Sequence, residues 1–251
     1  MESLPMLKAY IINLSSAKER KERMQEEIAR VGEQKIIEFC FYEAIAAGSE
    51  KFREYQAHYK RDFLTQLYRG KRLSDGEKAC FASHYSLWQK CVSENRAMLV
   101  LEDDITFLDG FLEQIQRIES AGVDFVRLMS FFQKKSTPFN DFLNLTKENI
   151  CGTQGYYLTP KGAKKLLAKS NLWLCPVDNY LDKSYIHTLP NLISNPEIIK
   201  EMPLGSCIGG GGRDCKPTLF FIITREISAS LEFVWKKLYD FYMLIFLQKG
   251  K

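Results

Sequence analysis

Residues Ala97-Met98-Leu99-Val100-Leu101 form an unbroken apolar run that stops at three consecutive carboxylates, Glu102, Asp103 and Asp104. A short apolar run with no helical period fits a buried strand. Three adjacent acids repel one another unless something cationic sits among them. In open α/β sheets, ligands bind at the carboxyl ends of the strands, and hard divalent cations such as Mg²⁺ and Mn²⁺ take oxygen ligands. The stretch therefore reads as a metal-assisted phosphate site. The plain alternative is a solvated turn after a strand.

The segments before it supply a parallel sheet. Leu7–Leu14 reads as a first strand, and Ser16 with Glu19 has capping-box spacing for a helix running through Arg30 and ending at Gly32. Ile36–Tyr42 reads as a second strand, so the chain opens β-α-β, which implies parallel strands joined by a right-handed crossover. Residues Gly48–Arg72 are polar, aromatic and basic with no clean period. They fit a mobile insertion or a pair of short helices, either a lid or a surface excursion. Ser74 and Glu77 form a second capping box, opening a helix to about Ser93 that leads into the acidic strand. His84 lies on that helix among Phe81, Tyr85 and Trp88, company that suits a core or supporting histidine better than a catalyst.

Beyond the acids, Phe107–Ile118 reads as a helix, Val123–Met129 as a strand and Lys134–Asn149 as a polar loop containing Pro138. Gly155–Leu158 is a short strand; Thr159 and Pro160 suit the cap and first turn of a helix over Lys161–Lys169. Pro176-Val177-Asp178 opens a short helix through Tyr185, on which Asp178 and Asp182 lie four residues apart. Asp178 could act as a general base or merely stabilise the helix N-terminus. Ser206–Arg213 (SCIGGGGR) joins a hydroxyl, bare backbone and a guanidinium in one loop, suited to an anion or to a plain hinge. No GxxxxGK[ST] motif is present, which argues against a nucleoside triphosphatase.

From Ser228 the chain becomes aromatic and basic with helix-compatible spacing, and from Arg213 onward it carries seven Lys/Arg against four Asp/Glu. The apolar run Phe241–Leu247 is too short to span a bilayer. Trp235, Tyr239 and Tyr242 beside lysines suit a helix lying on an anionic membrane surface, and the rival is a helix docked on the catalytic domain or another subunit. A net charge of +4 on 251 residues, without a basic arm, gives no reason to expect nucleic acid. Seven scattered cysteines with no CxxC pair suggest free thiols in a reducing cytoplasm. The first residues do not resemble a secretory signal.

Taken together, these motifs resemble glycosyltransferase family 25, the lipopolysaccharide and lipooligosaccharide glycosyltransferases. The resemblance runs over residues 7–213. It rests on Tyr10–Leu14 with Arg20 and Arg23, Gly76–Trp88 with its Gly-Glu…Cys…Ser-His pattern, and Leu101–Asp104. Gly155–Thr159, Pro176-Val177-Asp178 and Ser206-Cys207-Ile208 follow in the expected order. It implies a GT-A-like α/β fold, a Rossmann-type mixed sheet flanked by helices, over residues 1–213, with 48–72 a variable insertion and possible acceptor lid. Residues 214–251 lie outside it as a C-terminal amphipathic helical tail.

The resemblance also implies an inverting transferase moving a hexose, usually galactose from UDP-galactose, to a sugar of a lipid-linked oligosaccharide. UDP-glucose and UDP-N-acetylglucosamine are alternative donors. A divalent cation, Mn²⁺ or Mg²⁺, would be held by Glu102 and Asp104. Asn13, Arg20, His84, Asp103, Ser206 and Arg213 would contact the donor, and Asp178 would be the catalytic base. The enzyme would sit on the cytoplasmic face of a bacterial inner membrane. Two rival classes are a nucleotidyltransferase with a triphosphate donor and a non-catalytic membrane adaptor.

Overall fold

The computed structural model describes residues 6–32, 36–202 and 218–249. β1 (Leu7–Asn13), α1 (Lys18–Val31) and β2 (Ile37–Glu43) open the chain. Three short helices follow, α2 (Glu50–Glu54), α3 (Gln56–Tyr59) and α4 (Asp62–Arg69), and then the long α5 (Asp75–Glu94). β3 (Met98–Glu102) and β4 (Ile105–Phe107) flank the acidic turn. Next come α6 (Phe111–Ser120), β5 (Phe125–Arg127), β6 (Ser136–Asn140), β7 (Leu143–Thr146), β8 (Gly155–Leu158) and α7 (Pro160–Lys169). The chain continues through α8 (Val177–Leu181), α9 (Ser184–His187), β9 (Leu192–Ser194) and β10 (Ile199–Glu201) to α10 (Leu219–Lys249).

Eight strands form one mixed sheet in the order β2-β1-β3-β8-β5-β9-β7-β6, and β4 pairs with β10 in a small second sheet. β1 runs parallel to both β2 and β3, as the β-α-β reading expects. Because side chains alternate across a strand, the sheet sorts its apolar residues into two layers. Tyr10, Met98, Val100, Tyr156 and Leu158 join the layer containing the buried residues of α5 and α7. Leu7, Ala9, Ile11, Leu99, Leu101 and Tyr157 join the layer of α1 and α6, with Met24, Phe111, Ile115 and Ile118.

Several local expectations change. α1 begins at Lys18 with Ala17 in the cap position and no side-chain cap, so the Ser16–Glu19 capping box is not formed. The Ser74–Glu77 box is formed in both directions, and Thr159 caps α7 through the Gly162 amide with Pro160 in its first turn. The expected polar loop Lys134–Asn149 is largely a β6–β7 hairpin: Leu143 and Leu145 alternate with polar neighbours, and β7 pairs antiparallel with β9. The expected helix from Phe107 starts at Phe111, after Gly110 at φ 76°, because Ile105–Phe107 is drawn into the second sheet.

The Gly48–Arg72 stretch forms three short helices rather than two, and Phe52 and Tyr55 belong to the core, with Tyr59 and Tyr68 packed against it and Phe63 exposed. Trp173 stacks on Phe81 (ring centroids 4.5 Å apart) and on His58 (5.2 Å), with Tyr55 and Tyr85 packed around it. The tail helix α10 packs on α4 and α9. There the Glu232 carboxylate accepts from Tyr185 Oη at 2.7 Å and also from Tyr68 Oη and Lys183 Nζ. Phe220, Ile223, Ile227, Leu231, Val234 and Leu238 of α10 remain exposed. Among the described residues, no helix is long and apolar enough to cross a membrane. Cys40, Cys80, Cys91, Cys151 and Cys175 are free thiols; Cys207 and Cys215 lie outside the described residues.

Trp173→Ala removes the ring that joins the insertion to α5 and should cost about 3–5 kcal/mol. Chemical denaturation should show this as a lower midpoint with little change in slope.

Candidate active site

The alternation that sorts the core also separates the three acids. Glu102 continues the Met98–Val100 face and points toward α5. Asp103 leaves the strand on the opposite side, toward α1. Asp104 falls in the turn between β3 and β4. Each carboxylate therefore meets different partners.

Asp103 is buried and fully engaged. Asn13, on the α1 face of β1, donates from Nδ2 to Asp103 Oδ2 at 2.7 Å, and Arg20 donates to Oδ1 at 2.8 Å. Arg23, one turn after Arg20, donates to the backbone carbonyls of Asp103 (2.7 Å) and Ile105 (3.2 Å). Three residues of the first β-α unit thus pin the acidic turn. Asn13, Arg20 and Asp103, expected at the donor, form one hydrogen-bonded network. Sequence reasoning gives Arg23 no role beyond its motif, although its spacing from Arg20 places both on one helix face.

Glu102 faces His84, whose Nε2 lies 3.4 Å from Glu102 Oε1, within ion-pair reach but outside hydrogen-bond geometry. The other ring nitrogen, Nδ1, sits 2.9 Å from Tyr156 Oη, which also accepts from Trp88 Nε1 at 2.8 Å. Thr153 Oγ1 donates to Glu102 Oε1. Burial pushes the Glu102 carboxyl up, yet His84, Thr153 and Arg127 outweigh it and leave it below the usual carboxylate range. Cys80, one turn before His84, completes a cluster: its Sγ, a nitrogen of His84 and an oxygen of Glu102 lie within 4.8 Å of one another. Burial and the charges of Glu102, Asp178 and Asp104 hold the Cys80 thiol well up.

Asp104 is the uncompensated acid. Its Oδ2 is 3.5 Å from Arg20, which is already committed to Asp103, and its Oδ1 is buried with no partner. Burial, then Glu102, pushes the carboxyl up to about 7 despite Arg20. Glu201, on β10, is also raised by burial and by Glu102, while Gln154 Nε2 donates to it at 3.3 Å. A carboxylate cluster with an orphaned acidic oxygen suits a divalent cation.

Asp178, at the start of α8, is half-buried, and its carboxylate has no hydrogen bond or ion pair among the described residues. Asp182 has a different fate: it is buried, accepts from the Ile150 and Cys151 amides at 3.0 Å each, and lies 3.9 Å from Arg127. Arg127 also donates to the Cys151 and Gly152 carbonyls, so this pair holds the segment carrying Thr153 and Gln154. Sequence reasoning missed Thr153, Gln154 and Glu201. They lie on a loop and a late strand whose places depend on sheet order. Ser206 and Arg213 lie outside the described residues.

A mixed α/β sheet with acids at the C-terminal end of a central strand places them where open α/β sheets bind their ligands. The sequence signature of glycosyltransferase family 25 (LPS biosynthesis protein) matches residues 6–181, and the chain belongs to that family. It is 34% identical over 175 residues to the lipooligosaccharide biosynthesis protein lic2B of Haemophilus influenzae, covering 63% of this chain and 62% of that protein. It is 28% identical over 189 residues to procollagen galactosyltransferase 1-A of Xenopus laevis, covering 70% of this chain but 30% of that protein. The human inactive glycosyltransferase 25 family member 3 is 34% identical over 125 residues, 45% of this chain and 21% of that protein. The chain therefore spans under two thirds of the length of each.

The two aspartates should separate in stability. Asp103→Ala strips the acceptor from Arg20 and Asn13 and should cost about 2–3 kcal/mol. Asp104→Asn removes a carboxylate whose Oδ1 has no partner and which stands among like charges, and it should leave metal-free stability unchanged or raised. Urea melts of both variants in EDTA provide the check.

Proposed function

We propose that this chain transfers a hexose, galactose foremost, from a UDP-sugar to a sugar of a lipooligosaccharide or lipopolysaccharide core, with inversion at the anomeric carbon. The observation that carries the proposal is the orphaned Asp104 oxygen beside Glu102 at the end of β3. Family membership and the likeness to lic2B and to a procollagen galactosyltransferase support the donor and acceptor classes.

A Mn²⁺ or Mg²⁺ ion on Glu102 and Asp104 would supply charge neutralisation of the departing diphosphate. Asn13, Arg20 and Asp103 fix the floor of the donor subsite and hold the acidic turn in place. His84 keeps Glu102 charged and oriented. Asp178, with its carboxylate free of partners, accepts the proton of the acceptor hydroxyl as that oxygen attacks the anomeric carbon. Ser206 and Arg213, outside the described residues, would contact the diphosphate, to which a guanidinium can bind bidentately.

The exposed apolar face of α10 would rest on the cytoplasmic surface of the inner membrane, near the lipid-linked acceptor. Residues 1–213 would form the catalytic domain and 214–251 this contact. A second reading, a non-catalytic membrane-associated adaptor, is favoured by the likeness to an inactive family member.

Thermal shift and donor hydrolysis should be measured with UDP-galactose, UDP-glucose and UDP-N-acetylglucosamine, each with Mn²⁺ and with EDTA. One UDP-sugar should raise the melting temperature in a metal-dependent way. Asp178→Asn should lower kcat by about 10²–10⁴-fold with a smaller change in donor KM. Absence of any shift or turnover in folded protein that still binds anionic vesicles would replace the transferase with the adaptor.

A further inference from the structure

The chain leaves the main sheet after β5 on the same edge as the acids. β3 and β5 both run antiparallel to β8, one on each side of it, so they are parallel to each other. Leu101 pairs with Gly155 from one side, and the Leu128 amide donates to the Gly155 carbonyl at 3.0 Å from the other. The chain after Leu128 therefore emerges level with the acidic turn, about 10 Å from it across two strand spacings. Segment 129–135 has no part in the transfer proposed above. Within it stands Phe132, 82% exposed and at φ 64°.

Both properties count against a structural role for this residue. The left-handed region crowds a Cβ and is unusual for a bulky side chain, whereas asparagine or glycine takes it readily. The other described non-glycine residues with positive φ have local reasons for it. Asn95 and Thr188 end helices α5 and α9, and Asp182 and Arg127 hold Cys151. Phe132 gains little packing in return. Its ring lies 6.3 Å from that of Phe131, with the Lys134 ammonium 5.6 Å over it.

The loop around the ring, by contrast, is well tied. Ser130 donates to Glu197 from its amide at 2.9 Å and from its hydroxyl at 2.8 Å. The Phe131 amide donates to the Ile150 carbonyl at 3.2 Å. Phe131 covers Gly152 so closely that any Cβ there would collide with the ring. The next residue, Thr153, donates to Glu102. An aromatic ring is thus held out in water on a firm mount, beside the segment that touches the acids.

We propose that Phe132 is a stacking platform for a pyranose ring of the oligosaccharide acceptor. The proposal rests on the transferase reading above, but not on which UDP-sugar is the donor. The sheet order selects acceptor over donor. Asn13 and Arg20, at the floor of the donor subsite, belong to β1 and α1 on one side of β3, and Phe132 follows β5 on the other. Asp178, the base for the acceptor hydroxyl, serves this second side, because its charge acts on Arg127 of β5 and on Cys151. A pyranose supplies the matching surface. The C–H groups on one face of the sugar lie flat on the electron-rich face of an aromatic ring, while the hydroxyls at its rim stay hydrated. A ring already fixed by its backbone loses little further freedom on binding.

The test uses the full chain with UDP bound and deacylated lipooligosaccharide core oligosaccharide as the probe. Saturation-transfer difference NMR of the wild type should reach chiefly the C–H protons on one face of one pyranose. Phe132→Asn keeps the left-handed turn and removes the ring. It should lose that signal and raise acceptor KM about three- to tenfold, with kcat at saturating acceptor within about twofold. Its melting temperature and its UDP-sugar thermal shift should not fall. Phe132→Trp should restore the acceptor KM. Phe139→Ser, which removes an exposed ring from β6, should change none of these readouts.

No saturation transfer in the wild type, an unchanged signal in Phe132→Asn, or a lower melting temperature for that variant would overturn the proposal. A UDP-sugar thermal shift persisting beside any of those results would leave the transferase standing. Oligosaccharide binding that depends on Phe132, with no UDP-sugar response, would keep the platform and remove the transfer. If Phe132→Asn keeps the oligosaccharide and instead loses binding to phosphatidylglycerol vesicles, the ring is a membrane contact and the proposal fails.

Discussion

The site depends on the two-residue period of a β-strand. Three consecutive carboxylates at the end of β3 cannot point the same way, so the pleat sends Glu102 toward α5 and Asp103 toward α1 and leaves Asp104 in the turn. Each layer then treats its own acid differently. Asn13 and Arg20 consume Asp103 in a buried network. His84 and Thr153 hold Glu102 ionised. Nothing satisfies the inner oxygen of Asp104. One structural acid, one supported acid and one stranded acid follow from a single run of sequence.

In the proposed reading the stranded acid is the cation ligand, and in the metal-free chain it opposes stability. A buried carboxylate among like charges costs folding free energy, and the surrounding network offsets that cost. Arg23 clamps the backbone of the turn, and the buried Asp182–Arg127 pair fixes the loop that carries Thr153. The Trp173 stack ties residues 50–59 to the helix bearing Cys80 and His84. These distant parts share one mechanical role: they hold the ends of β1, β3 and α5 together at the acids.

Much of this was legible in the residues, where strong local signals agreed. The β1-α1-β2 opening, the capped α5, the buried β3 and the Thr159-Pro160 start of α7 all combine periodicity with cap chemistry. Legibility failed where tertiary pairing decides. β9 and β10 are three residues each and acquire strand character from their neighbours. The β6–β7 hairpin is polar enough to pass for a loop until β9 pairs with β7. At the site, the sequence singled out the acids, Asn13, Arg20 and His84, but it could not say which of them bind each other. That distinction depends on which face of the sheet each residue reaches. Thr153 and Glu201 gave no local signal at all.

The most direct test of this division is isothermal titration of Mn²⁺ into folded wild type, Glu102→Gln, Asp103→Asn and Asp104→Asn. The account predicts that Glu102→Gln and Asp104→Asn lose most of the affinity, while Asp103→Asn keeps it within a few-fold, because Asp103 is already spent on Asn13 and Arg20. Equal losses in all three variants, or the largest loss at Asp103, would contradict the separation of the acids on which the whole reading stands.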